Sequence, residues 1–216
     1  MYMIKLVIFD VDGTLVDSEV VFVKAAIKNM EVNGYNIPMS AIMGIIGQNR
    51  VAGQKLIEST QDDSFDYDKY IKNYEKIRSE ILEKEPLKLK KGALNILNYC
   101  KEHGIRMAIA TSTYREKQVK VLTNLGIIDY FDYMVFGDEI KNSKPAPDIY
   151  LKVYERYNYD KAEMIIYEDS NNGILSGYNA GIRVVYIKDI VDVKEETLSL
   201  CYKQVKDLDE GIEILK

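Results

Sequence analysis

The chain has 216 residues, 47% of them hydrophobic, so it can bury one good core and a smaller second module. The formal net charge is −5 and basic residues are scattered, which excludes the concentrated Lys and Arg surface of a nucleic-acid-binding protein. No apolar run approaches the roughly 20 residues of a membrane span, and no basic-then-apolar leader is present, so we expect a cytoplasmic protein without a membrane partner.

The first predicted element is a strand over Ile4–Phe9, a short apolar run that is followed at once by acidic residues. From about 16 to 85 no such run occurs, and apolar residues recur at helical spacing, as at Tyr70, Ile71, Tyr74, Ile77 and Ile81. We therefore predict a helical cap over 16–85, inserted into an α/β core made of 1–15 and 86–216. The hinges are expected near 15–17 and 85–88.

Helices and strands alternate through the rest of the chain. The sequence predicts a helix in ALNILNYCKEH, the strand RMAIAT, a helix over Glu116–Leu125 and the strand YMVFG. A third helix begins near Pro147 and Asp148 and leads to the strand MIIYE, and a fourth, Gly173–Ala180, leads to RVVYI. This alternation predicts an α/β fold with a Rossmann-like parallel sheet covered on both faces.

The cysteines and the single histidine carry no sign of metal or catalytic chemistry. Cys100 and Cys201 are far apart and have no zinc-binding spacing, so we expect reduced, structural thiols. His103 precedes Gly104 where a helix should end, which favours a place at the helix C-terminus over a role as catalytic base.

The first of four polar clusters at predicted strand ends is DVDGTLVDSE. Asp10 and Asp12 are two residues apart, so in an extended chain their side chains point the same way, and the pair needs a cation or two different protonation states. Gly13 permits a tight turn, and Thr14 can satisfy local backbone groups. An ordinary turn or part of a calcium loop would look similar, but the later Glu of a calcium loop is missing.

The other three clusters supply hydroxyls, a cation and a second acidic pair. Thr111 and Ser112 end the second strand, where hydroxyls and free N–H groups can hold phosphate oxygens. Lys144 lies in the turn NSKPAPD and would by itself be solvated, while Glu168 and Asp169 follow the strand MIIY. Together the four clusters describe a Mg²⁺-assisted phosphoryl-transfer site.

In this order the clusters resemble the four motifs of the haloacid dehalogenase superfamily, and KPAPD and EDS resemble its β-phosphoglucomutase-like and phosphoglycolate-phosphatase-like branch with a helical cap. The resemblance spans essentially the whole chain. It implies a Mg²⁺-dependent phosphatase that hydrolyses a small organic phosphate monoester through an aspartyl phosphate. A small phosphorylated metabolite is the expected partner, and a monomer is the default for this branch.

The resemblance also implies roles for the acidic residues. Asp10 is the nucleophile and a Mg²⁺ ligand. Asp12 is the general acid and base, and its backbone carbonyl also binds the metal. Asp169 completes the metal site, and Glu168 supports it directly or through water.

Substrate-binding roles follow for residues of both predicted domains. The resemblance implies that Thr111 and Lys144 bind the phosphate, and Ser112 is a further candidate. In the predicted cap, Arg50 with the neighbouring Gln48 and Asn49 are candidates for substrate contacts, although a helix-initiating turn after Gly47 would also explain this segment.

Four other functions stay open on the residues alone. A phosphosugar mutase of the same branch carries a histidine in the cap, ten residues after the second Asp of the first motif, where this chain has Phe22. A dehalogenase matches less well, because Asp12 and Gly13 are the phosphotransferase form. A receiver-like phosphoacceptor carries its phosphorylated Asp on a middle strand and has no inserted cap. In this chain the acidic pair follows the first strand, and a predicted helical block comes after it. A binding-only relative would have lost motif residues that are all present here.

Overall fold

The computed structural model describes residues 3–48 and 50–216. The chain divides into two compact units. The core unit consists of the segment that ends at Val16 together with Leu89–Lys216, and the helical unit consists of Asp17–Lys88. Next to the insertion, Val16 and Leu89 pair in antiparallel fashion, so the two ends of the core segment lie side by side.

The core unit is built on one six-stranded sheet. Its strands are β1 (Leu6–Phe9), β2 (Arg106–Ala110), β3 (Tyr133–Val135), β4 (Met164–Glu168), β5 (Arg183–Ile187) and β6 (Lys203–Val205). The spatial order is β3-β2-β1-β4-β5-β6, and every adjacent pair is parallel. The predicted α/β fold with a Rossmann-like parallel sheet is thereby confirmed.

The helical unit contains four helices and no strand among its described residues. They are α1 (Glu19–Asn33), α2 (Met39–Gly44), α3 (Arg50–Glu58) and α4 (Tyr67–Lys84). Asp66 caps the N-terminus of α4, where its side chain accepts a hydrogen bond from Lys69 N at 2.9 Å. Tyr70 and Tyr74 of α4 are buried, and the three isoleucines predicted on the same face pack against the same apolar cluster. The helical spacing read from the sequence is confirmed.

Six further α-helices belong to the described part of the core unit. They are α5 (Ala93–Glu102), α6 (Arg115–Asn124), α7 (Asp148–Tyr157), α8 (Asn171–Asn179), α9 (Glu195–Leu198) and α10 (Leu208–Gly211). Helix α8 begins two residues before the predicted start because Ser170 caps it by accepting a hydrogen bond from Gly173 N at 3.0 Å. Strand β1 begins at Leu6 rather than at the predicted Ile4. Neither β6 nor α9 and α10 was predicted, because each has only three or four residues.

The position of β1 brings the polar clusters together. Strand β1 lies between β2 and β4, and Phe9 is in register with Tyr167. Their rings stack with centroids 5.4 Å apart, and Asp10 N donates to Tyr167 O at 3.1 Å. Asp10 and Glu168 therefore leave the sheet side by side. The strand order reverses at β1 and β4, which is the place where open parallel sheets bind ligands.

The cysteines and the histidine lie as predicted. Cys100 is buried and Cys201 is half-buried, and both are free thiols. His103 is exposed at the C-terminal end of α5, where its Nδ1 lies 2.8 Å from Tyr99 O. None of the helices in the described ranges is long and apolar enough to cross a membrane.

Helix α8 approaches the sheet through Gly177. A β-carbon at this position would lie 2.5 Å from Val184 Cγ2 and 2.9 Å from Ile166 Cδ1, both of which are buried. We expect Gly177→Val to lower the free energy of unfolding by about 1–3 kcal/mol or more, because the core cannot take the added atoms without strain. Chemical denaturation measures this loss.

The matched control is Tyr178→Val, which places the same side chain at the next position of α8, where the native residue is 53% exposed. Its effect should stay within about 0.5 kcal/mol. Equal effects of the two substitutions would contradict the close approach of α8 to the sheet.

Candidate active site

A buried lysine forms the centre of the candidate site. Lys144 Nζ lies 2.6 Å from Asp10 Oδ1 and 2.6 Å from Glu168 Oε1, and it also donates to Ala110 O at 3.1 Å. The lysine side chain is only 3% exposed. The turn by itself would leave Lys144 solvated, but strand-end acceptors of β1, β2 and β4 surround its ammonium group.

Glu168 is completely buried and takes donors on both carboxylate oxygens. Besides Lys144, its Oε1 accepts a hydrogen bond from the hydroxyl of Tyr150 at 3.1 Å. Its Oε2 accepts from Asp169 N and Ser170 N, each at 2.9 Å, and from Ser170 Oγ at 3.1 Å. Helix α8 can come this close only with Gly173, since a β-carbon there would overlap the Glu168 carboxylate. Glu168 is thus fixed as the partner of Lys144.

The charges of this cluster depend on each other. Burial raises the pKa of Asp10 to about 7; Lys144 opposes this rise, and Glu168 adds to it. Burial alone would lower the pKa of Lys144, but the carboxylates of Asp10 and Glu168 raise it well above its ordinary value. Lys144 therefore stays charged and holds the carboxylate of Asp10 in place.

Asp169 lies at the same strand end and is also buried. Its Oδ1 accepts a hydrogen bond from Thr14 Oγ1 at 2.7 Å, so the Thr14 hydroxyl binds a carboxylate across the sheet edge. Gly13 has φ +86°, and a β-carbon there would overlap Asp169 Oδ2. A glycine is required here for both reasons. Burial, followed by the charges of Glu168 and Asp10, raises the pKa of Asp169 well above its ordinary value.

Asp12, the second acid of the first cluster, accepts a hydrogen bond from a hydroxyl group that follows β2. Thr113 Oγ1 donates to Asp12 Oδ2 at 2.7 Å, and Thr113 N donates to Thr111 Oγ1 at 3.1 Å. Thr111 is buried and Ser112 is half-buried. The hydroxyl segment thus lies next to Asp12, as its place after β2 predicts.

The candidates in the helical unit are described within that unit. Arg50 is exposed at the first residue of α3. Gln48 is exposed and donates from Nε2 to Gly44 O at 2.8 Å, while Asn49 lies outside the described residues. Phe22 of α1 packs inside the helical unit, with its ring centroid 5.7 Å from that of Tyr74.

The donor set at the sheet edge fits a hard divalent cation. Asp10, Glu168 and Asp169 are all buried, and Lys144 is the buried cation between two of them. Carboxylate oxygens are the ligands that Mg²⁺ prefers, and an excess of buried negative charge is stabilised by a bound cation. Asp10 and Asp169 are the side chains that could hold it, because Glu168 already has donors on both oxygens.

Sequence reasoning missed Thr113 and Tyr150. Thr113 ends the run TST, so three successive hydroxyls after a strand were the available signal. Tyr150 lies on α7, and its ring is 5.1 Å from Lys144 Nζ. In the sequence this tyrosine looks like any other core residue of an amphipathic helix.

Comparison with known proteins agrees with this geometry. The family model described as "Haloacid dehalogenase-like hydrolase" matches residues 7–187. A phosphorylated carbohydrates phosphatase of Thermotoga maritima is 35% identical over 184 residues, covering 83% of each chain. A fructose-1-phosphate phosphatase of Escherichia coli is 32% identical over 191 residues, covering 87% of this chain and 95% of its own. A solved β-phosphoglucomutase of Clostridium difficile has the same fold, with TM-score 0.77 at 22% identity over 99% of this chain and 97% of its own.

The raised pKa of Asp10 predicts how stability depends on pH without a cation. Its ordinary value is 3.8, so between about pH 4 and 7 the folded chain binds more protons than the unfolded chain. The stability that Asp10 contributes is therefore present at low pH and lost as pH rises through about 7. Relative to Asp10→Asn, the wild type should become less stable from about pH 5 to about pH 7.5, as measured by urea unfolding in EDTA. A stability difference between wild type and Asp10→Asn that does not change with pH would contradict the raised pKa of the buried Asp10.

Proposed function

The chain belongs to the haloacid dehalogenase-like hydrolases and is a phosphatase of that superfamily, and we propose that it catalyses the Mg²⁺-dependent hydrolysis of a small organic phosphate monoester. The reaction would pass through an aspartyl phosphate on Asp10. The observation that carries the proposal is the buried ammonium of Lys144, which lies 2.6 Å from Asp10 Oδ1 at the strand-order reversal of the sheet.

In the first step a carboxylate oxygen of Asp10 attacks phosphorus, and the bond between phosphorus and the ester oxygen breaks. A carboxylate and a phosphate dianion repel each other, so the nucleophile needs a fixed positive charge beside it. Lys144 supplies that charge and is itself held by Glu168. Because Lys144 is already in place, no reorganisation is needed when charge moves to the phosphate oxygens.

Asp12 serves both half-reactions as acid and base. In its protonated form it donates to the leaving alkoxide, and once ionised it takes a proton from the water that attacks the aspartyl phosphate. That attack breaks the bond between phosphorus and Asp10 and releases inorganic phosphate. The hydrogen bond from Thr113 keeps Asp12 in one orientation.

The phosphate would be bound by the end of β2 and by Lys144. Thr111 Oγ1 accepts from Thr113 N, so its own O–H can donate to a phosphate oxygen. Ser112 follows it in the same segment. Asp10, Asp169 and the backbone carbonyl of Asp12 would hold Mg²⁺, which when bound neutralises charge on the phosphate oxygens.

We propose a phosphorylated sugar or sugar-like metabolite as the substrate class. The two relatives described above are named for phosphorylated carbohydrates, one of them for fructose 1-phosphate. The helical unit would act as the cap that selects the substrate, with Arg50 and Gln48 as candidate contacts. That the chain acts as a monomer stays a prediction.

Phe22 argues against the alternative, a phosphosugar mutase. A mutase returns the phosphoryl group to a sugar and must keep water from the aspartyl phosphate, and its branch uses a cap histidine where this chain has Phe22. Phe22 packs against Tyr74 inside the helical unit and has no group that can transfer a proton. Hydrolysis is therefore the better-supported outcome.

The direct test is phosphate release from a panel of sugar phosphates, phosphoglycolate and nucleotides. We expect Mg²⁺-dependent turnover that EDTA removes, and at least a roughly 10³-fold loss of kcat in Asp10→Asn, since the amide cannot act as nucleophile. The control, Asp129→Asn, changes an exposed carboxylate and should retain full activity. Equal turnover by wild type and Asp10→Asn would rule out this mechanism.

Thr113 offers a test of the acid and base assignment. Thr113→Val keeps the shape of the side chain but removes the donor to Asp12, and a hydrogen bond to a charged group stabilises by about 1.5–3 kcal/mol. We expect kcat to fall about 10- to 100-fold with little change in KM. Thr123→Val, an exposed position of α6, is the control. An unchanged kcat in Thr113→Val would show that Asp12 does not need the hydrogen bond from Thr113 for its acid and base role.

A further inference from the structure

Asp189 lies just beyond β5, at the same edge of the sheet as Asp10 and Asp169. Its side chain is only 4% exposed. One oxygen, Oδ1, forms an ion pair with Lys90 Nζ. The other oxygen, Oδ2, is buried and has no hydrogen-bond partner within residues 3–48 and 50–216. Asp189 therefore holds a buried acceptor that the chain itself does not satisfy.

The unsatisfied oxygen lies close to Asp169. A β-carbon on Gly13 would lie 2.9 Å from Asp189 Oδ2 and would also overlap Asp169 Oδ2. Ligand oxygens of Asp169 and Asp189 come within 4.8 Å of each other. Two buried carboxylates at this distance repel each other unless a cation or hydrogen-bond donor lies near both.

Lys90 fixes the orientation of Asp189. Lys90 N donates to Leu15 O at 2.9 Å, and Ala93 N donates to Lys90 O at 3.0 Å, so the backbone of Lys90 is held on both sides. Its side chain is 18% exposed. Lys90 pairs with Oδ1 of Asp189, and Oδ2 is the oxygen that lies beside Gly13.

A buried carboxylate oxygen without a donor costs free energy, and native proteins satisfy such groups with water or an ion. Mg²⁺ in proteins usually keeps several of its waters, and partners of the outer shell orient them. We propose that Asp189, oriented by Lys90, is a positioning residue of the cation site, whose free oxygen accepts a hydrogen bond from the hydration shell of the cation held by Asp169. This inference rests on the Mg²⁺ dependence proposed above.

The test measures Mn²⁺ binding to the metal-free protein by electron paramagnetic resonance, with Mn²⁺ as the probe for Mg²⁺. Asp189→Asn keeps the size of the side chain, and we expect it to weaken Mn²⁺ binding about 10- to 100-fold. The matched control is Asp192→Asn, which makes the same charge change in the same loop at a side chain that is 92% exposed. Its affinity should stay within about twofold of wild type.

A second variant shows whether weaker Mn²⁺ binding comes from the loss of the Asp189 oxygen or from a change in net charge or folding. Lys90→Met/Asp189→Asn removes one charge of each sign, so the net charge is that of the wild type and no buried charge is left unpaired. We expect it to bind Mn²⁺ as weakly as Asp189→Asn while unfolding cooperatively in EDTA. Mn²⁺ affinity equal to wild type in either folded variant would overturn the inference.

Mn²⁺ binding to Asp169→Asn shows whether a failure concerns the role of Asp189 alone or the proposed cation site as a whole. Loss of Mn²⁺ binding in Asp169→Asn with wild-type affinity in Asp189→Asn would overturn the role of Asp189 alone. Mn²⁺ binding that Asp169→Asn does not change would overturn the proposed cation site, and the role of Asp189 with it.

Discussion

A lysine ammonium buried between two carboxylates is the interaction on which the candidate site depends. Removing three charged groups from water is costly, and only close pairing with full hydrogen bonding offsets that cost. Lys144 meets this condition through Asp10 and Glu168, each at 2.6 Å. The same pairing keeps Lys144 protonated and orients Asp10, the proposed nucleophile.

The parallel sheet makes this pairing possible. Its strands β1 and β4 are neighbours although the chain places them more than 150 residues apart, so Asp10 and Glu168 leave the sheet together. Glycines then allow the backbone to approach the charged groups: Gly13 lies against Asp169, and Gly173 lies against Glu168. A larger side chain at either position would displace a carboxylate of the site. The fold therefore determines both which charges meet and how closely.

Much of this arrangement could be predicted from the sequence, because each of the main strands is a distinct apolar run and the polar clusters follow those runs directly. The burial of Lys144 could not, since its turn looks solvated until strands from three parts of the chain surround it. The run TST indicates hydroxyls after β2, but the bond from Thr113 to Asp12 depends on side-chain distances, as does the free oxygen of Asp189. The short edge strand β6 was missed for a simpler reason: three residues, KQV, carry no periodic signal.

We propose that Asp10 takes the phosphoryl group beside a bound cation, and beryllofluoride gives the sharpest test because it mimics a phosphoryl group on a carboxylate. The measurement is the ¹⁹F spectrum of the protein with beryllofluoride and Mg²⁺. We expect bound ¹⁹F resonances in the wild type that disappear with EDTA and in Asp10→Asn. The same bound resonances in Asp10→Asn, or none in the folded wild type with Mg²⁺, would contradict it.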